Sequence, residues 1–196
     1  MTKKEKSLYS SRLRASILQA ALQGKLTRGN HHWIQSTLGE VCADIVMGQS
    51  PDGSSVSTNG DGIEFHQGKI CFSQMYLKES EHRTNAPSKI APAESVLLCV
   101  RAPVGKVNIT KREICIGRGL CALVPPKGMN PKLLYYFLSA MEADFIEKAS
   151  GSTFVAITAK VVREMPISYP PSLAEQEEIV GKVEALLAEV DHLTTK

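Results

Sequence analysis

The stretch from residue 171 onward constrains the fold more than any other part of the chain. Ser172-Leu173-Ala174-Glu175 has the S-x-x-E form of a capping box. In that motif the serine oxygen accepts from the third amide of the helix, and the glutamate reaches back to the cap amide. After it, Ile179, Val183, Leu186, Val190 and Leu193 repeat at alternating spacings of four and three, and Val180 and Leu187 widen the stripe. Such spacing is the seam of a coiled coil. A helix from Leu173 to Lys196 would be about 35 Å long at ~1.5 Å per residue. The seam needs an apolar cover: the domain's own core, a second helix, or a second copy of the chain.

Charge points to one such cover. The formal net charge of +3 divides into +6 over residues 1–30, +1 over 31–170 and −4 over 171–196. Opposite ends of this kind attract one another or each other's copies. The basic end predicts a helix from about Leu8 to Gln23. Leu13, Ile17 and Ala20 recur at helical spacing, Leu18 and Leu22 lie beside them, and Gly24 stops it. Arg12, Arg14 and Lys25 fall on or near its polar side.

Between the ends lies a segment rich in turns. Gly48 to Ser55 and Asn59 to Gly62 combine glycine, proline, asparagine, aspartate and serine, each a turn former for its own reason. Residues 63–77 alternate loosely and suggest strands or short pieces. Ser95–Val100, Lys106–Thr110 and Leu120–Val124 read as strands, the last ended by two prolines. Asn130 caps, and Pro131 opens, a predicted helix over 131–149. A short helix over 159–164 and an extended piece over 166–169 follow.

Several chemistries lack their residues. The nearest approach to the Asn/Asp/Ser-Pro-Pro-aromatic motif of amino-methyltransferases is Tyr169-Pro170-Pro171-Ser172, which has neither the polar residue before nor the aromatic after. No lysine has an acid two positions before it, as a common class of metal-dependent nuclease requires, and no G-x-x-x-x-G-K-[ST] loop is present. His31-His32 has no third ligand nearby and reads as a linker. The five cysteines are scattered among apolar neighbours without a C-x-x-C, and are expected to be reduced core residues. No run of 18 apolar residues occurs and no apolar segment follows the basic start, so a cytoplasmic location is expected.

The ordered set of short motifs resembles the specificity subunits of type I restriction–modification systems. The matching stretches are Trp33, Leu38-Gly39-Glu40-Val41, Gly48-Gln49-Ser50-Pro51, Arg101-Ala102-Pro103-Val104-Gly105 and Ile116-Gly117-Arg118-Gly119-Leu120. They continue with Gly151-Ser152-Thr153-Phe154, Pro166-Ile167 through Pro170-Pro171, and Glu175-Gln176-Glu177-Glu178-Ile179-Val180. Ile17 to Leu26 is similar to the end of the helix that precedes such a domain. The resemblance implies an α+β fold in three parts: a helical arm over 1–29, a DNA target recognition domain over 30–170, and a coiled-coil helix over 171–196. It implies a subunit with no catalysis and no cofactor of its own. S-adenosylmethionine, ATP and Mg²⁺ would belong to modification and restriction partner subunits.

Family subunits hold two recognition domains and this chain has one, so the resemblance also implies a half subunit. It would self-associate through Ile179, Val183, Leu186, Val190 and Leu193 and read an interrupted palindrome. Arg and Lys serve guanine and phosphate, and Gln serves adenine. On that chemistry the candidate DNA-contacting residues are Gln49, Ser50, Gln67, Lys69, Gln74, Arg101, Lys106, Arg118, Ser152 and Thr153, with Lys111 and Arg112 as further cations. The rival readings are a stand-alone or regulatory DNA-binding module, a degenerate fragment that binds nothing, and an enzyme fragment.

Overall fold

The computed structural model describes residues 3–27, 32–150 and 155–195. The chain opens with α1 (Lys3–Leu22), β1 (Ile34–Thr37), the single turn α2 (Leu38–Val41) and β2 (Asp44–Met47). Short strands follow: β3 (Val56–Thr58), β4 (Ile63–His66), β5 (His82–Thr84), β6 (Ile90–Ala91), β7 (Val96–Cys99), β8 (Val107–Ile109), β9 (Ile114–Ile116) and β10 (Leu120–Val124). The last part holds α3 (Pro131–Ala140), α4 (Glu142–Lys148), α5 (Ala159–Glu164), β11 (Pro166–Tyr169) and α6 (Leu173–Thr195).

Strands β7 and β10 show how the layers are built. Their side chains alternate between two cores. Val96, Leu98, Cys121 and Leu123 enter the larger core with the helices. Leu97, Cys99, Leu120 and Ala122 enter a smaller one with Ile114 and Ile116 of β9. Burial on both faces explains why these strands read as unbroken apolar runs. The sheet they belong to has the order β2-β10-β7-β8 and is antiparallel throughout. A second sheet of order β3-β5-β4-β9-β6 covers one of its faces, with β4 and β9 parallel and the other pairs antiparallel. Strands β1 and β11 form a separate antiparallel ribbon. Mixed sheets with flanking helices are the α+β arrangement expected from the sequence.

The two end helices pack together, as their charges suggested. They run antiparallel: Arg14 pairs with Asp191, and Trp33, beyond the C-terminus of α1, donates from Nε1 to Glu175 Oε1 at 3.1 Å. Lys132 of α3 pairs with Glu184 at 2.7 Å. Both ion pairs are partly exposed and contribute about 1 kcal/mol or less. The apolar seam contributes more. Ile179, Val183 and Val190 are buried with Ile17 and Ala21 of α1 and Phe137 of α3, and each such side chain is worth about 1.5–3 kcal/mol. Gln176 locks the start of α6. It is buried, its amide donates to the Gly128 and Pro170 carbonyls, and its oxygen accepts from the Asn130 amide at 2.8 Å.

Three expectations change. The self-association seam is largely used within the chain. Only Leu186 and Leu193 of the five residues stand exposed, at 40% and 63%. The helix expected over 131–149 breaks at Met141, whose amide is shared between the Phe137 and Leu138 carbonyls, while Gln19 caps the Ala140 carbonyl at 2.8 Å. The bend lets Phe137 and Phe145 both reach the core. Four cysteines are buried as expected, and burial pushes Cys42, Cys99 and Cys121 up to about 12. Cys71 is instead half-buried and lines a surface cleft.

Candidate nucleic-acid interface

Three backbone segments meet at one edge of the molecule: 48–50, 66–68 and 117–119. The Gly117 amide donates to the His66 carbonyl at 2.8 Å, Gly48 to Leu120 at 2.9 Å and Gln49 to Ile116 at 3.0 Å. Glycine is what allows the approach. A Cβ on Gly48 would overlap the Gly117 carbonyl oxygen and lie 2.7 Å from the Leu120 oxygen. A Cβ on Gly119 would overlap the Gln67 carbonyl oxygen. The packing fixes where Gln49, Ser50, Gln67 and Arg118 emerge.

Ser50, Gln67 and Arg118 border a cleft of about 630 Å³ that also takes in Phe65, His66, Ile70 and His82. No acidic side chain lines it among the described residues. A second groove, of about 590 Å³ between α1, α3 and α6, contains Glu184 and Asp191. Of the two linings, only the first combines a cation, Arg118, with the absence of any carboxylate, the better match to a polyanion.

Beneath the cleft lies a buried ionic network. Glu64 accepts from Arg112 Nε at 2.5 Å and Nη2 at 2.6 Å, from the Ser80 amide at 3.1 Å, and from His66 Nε2 at 3.0 Å. Burial raises the Glu64 carboxyl, but the Arg112, Ser80 and His66 bonds outweigh it and bring it down to about 2. Burial likewise lowers His66, more than its carboxylate neighbour raises it. Held below its ordinary 6.5, the ring is neutral at pH 7. Ionised Glu64 can only accept, so Nε2 carries the proton and Nδ1 is left as an acceptor. His66 Nδ1 and Ser50 Oγ are buried without a hydrogen-bond partner among the described residues.

The structure brings some of the sequence candidates together and separates others. Ser50, Gln67 and Arg118 line the cleft. Gln49 is exposed next to Ser50, and Lys69 is exposed in the 3-10 turn Lys69–Cys71. Lys106 is taken by Glu142 at 2.6 Å, so it is not the free cation the sequence suggested. Arg112 is taken by Glu64, and Lys111 lies 4.0 Å over the Tyr76 ring. Gln74 borders the other groove, where its carbonyl accepts from Tyr135 at 2.5 Å. Arg101 is exposed and pairs with Ala156 in an isolated bridge; it does not line the cleft, although Val100 beside it donates to the Gly119 carbonyl at 3.0 Å. Ser152 and Thr153 lie outside the described residues, as does His31. Sequence reasoning missed Glu64 and His66. Their i, i+2 placement in β4 was visible, but not the Arg112 that completes the network. Among the described residues no group of three or more His, Cys, Asp or Glu is placed to hold a metal. No helix there is long and apolar enough to cross a membrane.

A rigid rim of polar side chains around an acid-free cleft, on a sheet domain held by two helices, is the build of a recognition module. Residues 30–196 match the family model described as type I restriction modification DNA specificity domain, and the chain belongs to that family. A Methanocaldococcus jannaschii protein with the provisional name type I restriction enzyme MjaX specificity subunit is 38% identical over 143 residues, covering 72% of this chain and 33% of that protein. The crystal structure of the HsdS subunit from Thermoanaerobacter tengcongensis superposes with a TM-score of 0.78 at 34% identity, over 97% of this chain and 46% of that one. A chain from a structural study of assembly and conformational transition in the type I R-M system gives 0.81 at 33% identity, over 98% and 48%. The chain thus spans a third of the curated relative and just under half of each solved chain.

Proposed function

We propose that this chain is a DNA-reading module that recognises one half of a bipartite target through the cleft formed by segments 48–50, 66–71 and 117–119. The observation that carries this is the convergence of Gln67, Arg118 and Ser50 on a glycine-locked rim free of acidic side chains. Arg and Gln are the side chains that read guanine and adenine bidentately, and fixed backbone around them keeps that geometry without an ordering cost. The chain works without catalysis of its own, in the cytoplasm. A modification subunit supplies S-adenosylmethionine chemistry, and a restriction subunit supplies ATP- and Mg²⁺-dependent cleavage. Duplex binding by the full chain should weaken as salt rises, because cationic contacts release counterions. Arg118→Ala should cost roughly 1–3 kcal/mol at a preferred sequence, and Lys69→Ala should weaken all sequences alike and flatten the salt slope by about one. Fluorescence anisotropy checks both. Salt-independent binding, or wild-type affinity in both variants, would contradict the assignment.

The helical flank supports a second element of the proposal, a two-fold dimer that presents two identical cleft-bearing domains. Leu186 and Leu193 are the seam residues still exposed. Val183 belongs to the chain's own core, so a charge there perturbs folding, and Leu186→Glu is the informative substitution. Sedimentation at high micromolar concentration should show a wild-type dimer and a folded Leu186→Glu monomer. A monomeric wild-type chain would rule the dimer out.

A further inference from the structure

Ile70 is 96% exposed, whereas the other exposed large apolar side chains among the described residues range from 40% to 63%. It sits at the tip of the 3-10 turn Lys69–Cys71, and that turn is not loose. The Phe72 amide closes it on the Lys69 carbonyl at 2.9 Å, and the Lys78 amide bonds the Cys71 carbonyl at 2.9 Å. Cys71 and Phe72 pack on the smaller core. The inner side of the turn is thus anchored, while Gly68 before it has open space where a Cβ would be. The result is a fixed apolar point projecting into water, which gains nothing in the free chain and stands ready to lose its hydration against a partner. Its surroundings indicate what that partner is. Lys69 precedes it, Gln67 lies three residues before it, and Arg118 borders the same cleft.

We infer that Ile70 is a specificity-determining residue that packs against the 5-methyl group of a thymine in the major groove. This rests on the DNA-reading proposal above. Among the groups that base edges expose to the major groove, the thymine methyl is the apolar one, and aliphatic side chains contact it. Gln67 and Arg118 beside it are major-groove readers by the same chemistry. A contact of this kind adds a preference for thymine that neither of them supplies.

The test begins with selection of a preferred sequence from a random duplex pool, using the full chain at low salt. Each thymine of that sequence is then replaced by deoxyuridine, which lacks only the methyl group, and affinity is measured for the wild type and Ile70→Ala. At one thymine, uracil should cost the wild type about fourfold, the weight of one buried methyl-sized group, and should cost Ile70→Ala nothing. Ile70→Ala should bind the unmodified site roughly tenfold more weakly, with an unchanged melting temperature because the tip touches no core. If a sequence is selected but uracil affects both proteins equally at every position, the Ile70 assignment is wrong and the DNA-reading proposal stands. The same holds if Ile70→Ala loses association with a protein partner while binding DNA normally. If no sequence is enriched, the DNA-reading proposal fails first and takes this inference with it.

Discussion

Glutamine in place of Glu64 is expected to lower the unfolding free energy by about 3 kcal/mol, near the low end for breaking a buried pair, because Arg112 is one-third exposed and regains some hydration. The change leaves the guanidinium without its counter-charge and weakens the acceptor for His66 and the Ser80 amide. Denaturant titration measures it, and a loss under about 1 kcal/mol would mean the network contributes little. The same network sets an acid limit. The folded Glu64 carboxyl lies near 2, below its ordinary 4.5, so its contribution is complete above the ordinary value and is lost as pH falls toward 2. His66 is also lowered, so the unfolded chain takes up that proton first, and stability begins to fall below about 6.5. Both groups make the wild type less stable in acid. The Glu64→Gln variant should show a shallower decline between pH 4.5 and 2.

Gly48→Ala is expected to be as damaging by a different route. Its methyl would meet backbone on two sides, the carbonyls of Gly117 and Leu120, and neither can move as a flexible side chain can. Relief requires breaking the Gly48–Leu120 hydrogen bond or the one the Leu120 amide donates to the Gly117 carbonyl, and both hold segments of the cleft. Overpacking of this kind costs roughly 1–3 kcal/mol and occasionally more, and the upper part of that range applies here. The cleft itself should also distort, so DNA affinity should fall even at temperatures where the variant remains folded. Thermal melting together with anisotropy distinguishes the two effects. A variant with wild-type stability and affinity would show that the three segments are not coupled.

The C-terminal helix and its apolar stripe were legible because spacing reports a face directly. Spacing does not report what the face touches, and so Ile179, Val183 and Val190 were assigned to a second copy when they pack on α1 and α3. Strands β7 and β10 were legible because burial on both sides leaves a continuous apolar run. Strands β3, β5 and β6 are two or three residues long and carry no period to detect. The parallel pairing of β4 with β9 is long-range and has no local signature. Among the cations, sequence could not separate Arg118 from Lys106 and Arg112. Those two are neutralised by Glu142, 36 residues away, and Glu64, 48 residues away. Ile70 was hidden for a related reason. Isoleucine is most often a core residue, and only the anchored turn shows that this one points outward.

Methylome sequencing of a host carrying this gene together with a type I modification-subunit gene, compared with the same host lacking this gene, tests DNA recognition most directly. The prediction is a methylated motif that appears only when the gene is present and that relaxes at defined positions when Gln67 or Arg118 is replaced by alanine. The dimer adds that the motif is an interrupted palindrome, so an asymmetric motif would count against the dimer alone. Identical methylomes with and without the gene, while the modification subunit is expressed and active, would contradict the assignment of this chain as the reader of the DNA target.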